Sequence, residues 1–128
     1  NIGADTNNSN LKNNYDEVKV WSYVSKRFAK TGQQFCGLIM GDHSKSGINT
    51  MFNTGTVVGV SANVYGAGFP RNFIASFSWG GPQGTMEYKL DKALDTANRM
   101  MQRRGLAVDE VEQEILQSVY EQTAEFRR

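Results

Sequence analysis

The sequence predicts a mainly β fold of stacked hexapeptide-repeat coils that carries a hairpin insertion and ends in an αα-hairpin. Three observations predict it. Residues 40–69 repeat with a period of six, residues 7–35 hold two strand-like runs joined by a turn signal, and residues 89–128 show two amphipathic helical periods.

The 128 residues amount to one domain's worth of chain. Hydrophobic residues make up 39% and charged residues 21%, a globular composition rather than that of a disordered tail. No window holds the roughly 18 uninterrupted apolar residues of a membrane span. The net charge is +1, with seven basic and five acidic groups in residues 1–88 and seven and eight in residues 89–128. No global field therefore favours nucleic acid or an anionic membrane. A single cysteine, Cys36, excludes an intramolecular disulfide, and with no signal-like opening the expected compartment is the reducing cytoplasm. Asn stands at position 1, with Ile2-Gly3 already patterned, so the chain reads as part of a longer protein that begins upstream.

In register, the repeat runs Met40-Gly-Asp-His-Ser-Lys, Ser46-Gly-Ile-Asn-Thr-Met, Phe52-Asn-Thr-Gly-Thr-Val, Val58-Gly-Val-Ser-Ala-Asn, Val64-Tyr-Gly-Ala-Gly-Phe. The first column (Met40, Ser46, Phe52, Val58, Val64) is apolar at four of its five positions, as an inward position requires. The second (Gly41, Gly47, Asn53, Gly59, Tyr65) is rich in residues that tolerate unusual backbone angles. The fifth (Ser44, Thr50, Thr56, Ala62, Gly68) is small. Such a period suits a short strand plus a turn, stacked coil on coil. A Gly- and Thr-rich β-meander is the plain alternative. Residues 2–6 fit the same template, so a coil is expected to begin before the chain does.

Residues 7–14, Asn-Asn-Ser-Asn-Leu-Lys-Asn-Asn, break the repeat with turn-forming residues. Strands are expected over 18–22 and 33–37, with Lys30-Thr-Gly-Gln as the turn between them. The coil with its insertion at about 7–35 thus spans residues 1–69. Residues 70–88 hold both prolines and the apolar string Phe73, Ile74, Phe77 and Trp79, and read as an extended arm whose aromatics dock onto the body or a neighbouring subunit. An aromatic ligand wall is the functional alternative.

Over 89–128, Leu90, Leu94, Ala97 and Met101 mark a first helix that ends before Gly105. Val108, Val111, Ile115, Val119 and Tyr120 share a face of a second, whose first turn collects Asp109, Glu110 and Glu112. These stripes read as packing surface and the charges as a solvated face.

Phosphate-loop, His-Glu-x-x-His, Cys-x-x-Cys and Gly-x-Ser-x-Gly signatures are absent. With one histidine and one cysteine, an ordinary zinc site needs ligands from other chains, so no metal ligand is assigned. His43, beside Asp42 and Ser44, is the candidate general base, because an imidazole near its usual pKa of about 6.5 takes protons at neutral pH. The plain reading is a turn residue. Asn10, Asn14, Tyr15 and Lys19 are the candidate substrate- and cofactor-binding group: asparagine amides match sugar hydroxyls, and lysine neutralises phosphate. A solvated turn accounts for them equally.

The hexads at 40–69, preceded by Asn1-Ile-Gly-Ala-Asp-Thr and Asn14-Tyr-Asp, resemble the C-terminal left-handed parallel β-helix of bifunctional UDP-N-acetylglucosamine pyrophosphorylase / glucosamine-1-phosphate acetyltransferases. Residues 41–63 together with Phe77-Ser-Trp-Gly-Gly resemble more closely a Bacteroidetes-type branch of sugar nucleotidyltransferase-like proteins, over most of the chain. The resemblance implies a homotrimer of left-handed prisms, acetyl-CoA as co-substrate, and acetyl transfer to the amine of a sugar 1-phosphate. It also implies magnesium, but only for a separate nucleotidyltransferase domain that this chain lacks. In the family pattern the catalytic histidine lies upstream of residue 1, so His43 does not occupy its place. The family's Asn-Tyr-Asp-Gly falls on Asn10-Leu11 or on Asn14-Tyr15-Asp16, with Glu17 for Gly, and its lysine on Lys19. The rival expectation is a non-catalytic trimerisation scaffold for a nucleotidyltransferase, and a general ligand-binding module is third.

Overall fold

The computed structural model describes residues 1–127. Eleven short strands precede two helices: β1 (Asn7–Asn8), β2 (Lys19–Ser22), β3 (Arg27–Lys30), β4 (Ile39–Met40), β5 (Lys45–Ser46), β6 (Met51–Phe52), β7 (Val57–Val58), β8 (Asn63–Val64), β9 (Phe73–Ile74), β10 (Ser78–Gly81), β11 (Gly84–Glu87), α1 (Leu90–Gln102) and α2 (Glu110–Gln122). A 3₁₀ turn, Ala124–Phe126, follows α2.

The strands fall into four sheets: β1-β6, β4-β7-β9, β2-β3 and β11-β10-β8-β5. β1-β6, β4-β7-β9 and β5-β8-β10 are parallel, whereas β2-β3 and β10-β11 are antiparallel. Ile39 pairs with Val57 and Lys45 with Asn63, three hexads further along the chain. The next pairings, Val57 with Phe73 and Asn63 with Trp79, are two residues shorter.

The expectation of a left-handed parallel β-helix of hexapeptide repeats is thereby corrected. The described residues form two helices and short strands in parallel and mixed sheets, and no long parallel β-helix is found among them. The pairing pattern shows the physical reason. Five hexads supply at most two strands to any parallel stack, the insertion between β1 and β4 interrupts the period on one side, and the antiparallel β10-β11 ribbon ends it on the other.

The first-column residues nevertheless meet. Phe52, Val58 and Val64 are buried in one cluster with Ala62 and Ile74, and Leu38 and Met40 pack against it. Ser44, Thr50 and Thr56 of the fifth column are buried, and hydroxyls at this position close the turns: Thr50 Oγ1 donates to Gly47 O at 2.9 Å, Thr56 Oγ1 to Asn53 O at 2.7 Å, and Thr6 Oγ1 to Gly3 O at 2.7 Å. Ser44 Oγ donates to Gly59 O at 2.6 Å and accepts from Ala62 N at 3.0 Å.

The second column does not carry the unusual backbone. The left-handed residues Asp5, His43, Asn49, Gly55 and Ser61 occupy the fourth position of the hexads that begin at Ile2, Met40, Ser46, Phe52 and Val58, with φ between 53° and 71°. Glycines of the second column are needed for close stacking instead; a Cβ on Gly41 would lie 2.8 Å from the Gly59 carbonyl carbon.

The insertion hairpin is offset from its expected position. β2 pairs with β3, turning at residues 23–26, while Gln33–Gly37 supplies only one bridge, Phe35 to Leu11. Aromatic packing chose this register, since Trp21 stacks on Phe73 at 4.3 Å between centroids and meets Phe28 and Phe126 edge-on. Within residues 70–88, β9 and β10 each add a strand to a parallel stack.

Leu116, Ala93 and Phe77 form the second core cluster, and this fixes the facing of the helix pair. Val111 and Ile115 are exposed, contrary to the stripe expected for α2. Leu116 instead joins the expected Val119 and Tyr120 in reaching the β body. Asp109 caps α2 by accepting from Glu112 N at 2.8 Å, and Gly105 (φ 70°) ends the first helical segment.

Arg127 clamps this end. Its guanidinium lies 4.2 Å from the Tyr120 ring centroid, and its Nε donates to Glu87 Oε1 at 3.1 Å. Hydrogen bonds from Tyr120 and then Arg127 hold the Glu87 carboxyl below its usual 4.5. A carboxyl depressed on folding adds stability above its unfolded pKa and loses it as pH falls through the lower folded value. Urea midpoints are therefore expected to drop as pH falls below 4.5, and Glu87→Gln is expected to flatten that slope. An unchanged slope in the variant would remove Glu87 from the clamp's pH response.

Candidate functional site

A groove of about 570 Å³ is floored by β4 and β7. Ile39, Met40, Val57 and Val58 make the floor aliphatic, and Gly41 and Gly59 extend it without side chains. Tyr23 and Lys26 from the β2-β3 turn form one wall. Val119, Gln122 and Thr123 of the α2 end and Glu125 and Phe126 of the 3₁₀ turn form the other. Lys26 Nζ and Glu125 Oε2 close the rim at 2.9 Å. Burial pushes the Tyr23 hydroxyl above its ordinary 10.0, partly offset by a hydrogen bond with Ser76, so Tyr23 is a protonated donor at neutral pH. The volume lies within the range of small-molecule sites.

His43 is placed away from these walls. Its side chain is 10% exposed, and Nε2 lies 3.3 Å from Glu112 Oε1. Nδ1 is buried without a hydrogen-bond partner. With φ at 61° it holds one of the left-handed turn positions, a conformation that histidine adopts more readily than most residues. These contacts make His43 a brace between the β4-β5 turn and α2. Lys45 Nζ donates to His43 O at 3.2 Å, and burial lowers its pKa from 10.5.

The other predicted residues lie in the insertion. Asn14 and Asp16 form an Asx turn: Asp16 N donates to Asn14 Oδ1 at 3.1 Å and Asn14 Nδ2 to Asp16 Oδ2 at 2.7 Å. Tyr15 sits at the tip with φ 62°, its side chain 65% exposed. Asn10 O accepts from Cys36 N at 3.0 Å, and Lys19 opens β2 opposite Lys30. Asn14 and Tyr15 thus share one exposed turn, and among the described residues none of the four bonds to His43.

The groove residues Tyr23, Lys26, Ser76, Gln122 and Phe126 escape sequence reading because they come from separate segments with no common spacing. Only the aromatic enrichment at Trp21, Tyr23 and Phe73 hinted that the insertion packs onto the body. Among the described residues no group of three His, Cys, Asp or Glu is placed to hold a metal ion, and no helix is long and apolar enough to cross a membrane. No known protein-family profile matches the chain, and no curated protein matches it.

Proposed function

We propose that this chain is the acetyl-CoA-handling part of a cytoplasmic sugar-nucleotide biosynthesis enzyme that N-acetylates an amino-sugar 1-phosphate. The groove over β4 and β7 carries the reading. An aliphatic floor rimmed by an amine, a phenol, an amide and hydroxyls suits the amide-bearing thioester arm of an acyl-CoA. The exposed Asn14-Tyr15 turn supplies amide and phenol groups suited to a sugar. In the reaction the sugar amine attacks the thioester carbonyl, the C–N bond forms, the C–S bond breaks and CoA thiolate leaves. The amine's proton passes to a base, and because Glu112 engages His43, that base is assigned to the rest of the parent protein.

Calorimetric titration with acetyl-CoA is expected to show saturable binding that Val57→Trp, a change in the groove floor outside the Phe52 cluster, abolishes. Absence of heat at millimolar acetyl-CoA would refute the assignment. His43→Ala in the intact protein is expected to leave acetyl transfer within about twofold while lowering stability by about 1 kcal/mol, the usual scale for a lost buried contact. A hundredfold loss of turnover without unfolding would restore His43 as the base.

The second reading is a trimerising scaffold, favoured by an exposed apolar corner. Gly3, Gly47 and Tyr65 stack closely, and beside them Ile2 and Ile48 are exposed, Ile48 at 72%. Light scattering decides it: a trimer that ignores acetyl-CoA would select the scaffold over the transferase.

A further inference from the structure

A second cleft, of about 440 Å³, lies on the other side of Phe126, between the Pro70–Arg71 segment, the β10-β11 ribbon and Arg127. Its chemistry differs from that of the groove, because its lining is polar and its charges are arginines. Pairing of Gly80 with Thr85 and of Ser78 with Glu87 sets Ser78 and Thr85 on one face of the ribbon.

Ser78 is only 5% exposed, lines this cleft, and its hydroxyl has no hydrogen-bond partner among the described residues. A hydroxyl without an internal partner in a cleft lining is free to donate to a ligand atom. Thr85 presents a second hydroxyl in the same lining.

Arg127 supplies a desolvated cation, its side chain 5% exposed. Four of its five N–H donors are committed: Nε to Glu87 Oε1, Nη1 to Ser76 O and Thr123 Oγ1, and Nη2 to Tyr120 O. One Nη2 hydrogen is left over. Arg71, exposed and part of the same lining, has no ion pair among the described residues. Among the described residues Glu87 is the carboxylate beside Arg127, and it accepts from both Arg127 and Tyr120.

We propose that this cleft binds a compact oxyanion, the phosphate group of a small ligand, between Arg71 and Arg127 with Ser78 and Thr85 donating to its oxygens. Two guanidiniums against one neutralised carboxylate leave a positive site, and a charged acceptor strengthens each donated hydrogen bond. The inference stands apart from the acyl-transfer reading, since it uses no residue of the groove except the shared Phe126 boundary.

Amide chemical shifts of the full chain, titrated with inorganic phosphate in chloride buffer, test it. Saturable shifts confined to β10, β11 and residues 70–73 are expected in the millimolar range. Arg71→Ala, an exposed change that leaves the core intact, is expected to weaken binding at least about tenfold, and Ser78→Ala several-fold. Acetate in place of phosphate separates the two oxyanion sources: weaker binding of acetate supports a phosphate site, and equal or tighter binding overturns it. Linear shifts without saturation, or binding indifferent to Arg71→Ala and Ser78→Ala, would equally overturn it.

Discussion

Phe52→Ala is expected to lower the unfolding free energy by about 3–5 kcal/mol, the usual cost of emptying a buried phenyl site. Phe52 is 1% exposed and sits where the first-column side chains of three hexads converge with Ile74. Its neighbours are held by short parallel pairings, Asn8 opposite Phe52 and Val58 opposite Met40 and Ile74, which resist collapse into the vacated volume. Total stabilities of domains this size are commonly about 5–15 kcal/mol, so the variant should be marginal or partly unfolded at 25 °C. Urea denaturation followed by tryptophan fluorescence reads the effect. Ile48→Ala, at a position 72% exposed, is the control, with a change below about 0.5 kcal/mol. A Phe52 effect as small as the control's would mean that the cluster is not the shared core.

That cluster is the part of the fold most legible in the sequence. A column of Phe52, Val58 and Val64 reads as inward because burial leaves its trace directly in residue type. Architecture was less legible. The six-residue period specifies what each short strand does, but not how many strands stack before another element intervenes, and here the intervening elements are the β2-β3 insertion and the β10-β11 ribbon.

Backbone conformation misled in an instructive way. Glycine in the second column suggested left-handed angles, yet His43, Asn49 and Ser61 adopt them at the fourth, while Gly41 and Gly59 are small so that strands can approach. Composition shows that a Cβ is missing without showing whether torsion or space demands it. On α2, Val111 and Ile115 fit a helical stripe as well as Leu116 does. What selects Leu116 is its meeting with Phe77 and Ala93, a tertiary choice no local pattern encodes.

The candidate site was less legible still. Asn14 and Tyr15 were found as a turn because turn chemistry is local. The groove joins residues 23–26, 39–41, 57–60 and 119–126, and no spacing announces that convergence.

Gly59→Ala tests the close approach and the groove together, and its effect is expected to be the largest after that of Phe52→Ala. A Cβ at Gly59 would collide with Ser76 Oγ and lie 2.5 Å from Ser76 N and 2.8 Å from Ser76 Cα. The hydroxyl is able to move, but the backbone is not: Gly59 N donates to Ile74 O and Gly41 N to Val58 O, both at 2.9 Å, and Phe77 N donates to Val60 O at 2.8 Å. Relief therefore requires β4, β7 and β9 to separate, and overpacking of this kind costs about 1–3 kcal/mol or more. Ser76 Oγ also accepts from Val60 N at 2.9 Å, beside Tyr23 in the groove wall, so displacing it opens a backbone donor and shifts the wall. Thermal denaturation of Gly59→Ala and of Gly59→Ala with Ser76→Gly separates the two contributions. The double variant removes the hydroxyl clash together with the acceptor of Val60 N, so it is read against Ser76→Gly alone, and relative to that reference it is expected to recover only a minor part of the loss, the remainder belonging to the backbone contact. Full recovery would place the strain in the Ser76 side chain, and a neutral single variant would show that the three strands do not pack as closely as their register implies.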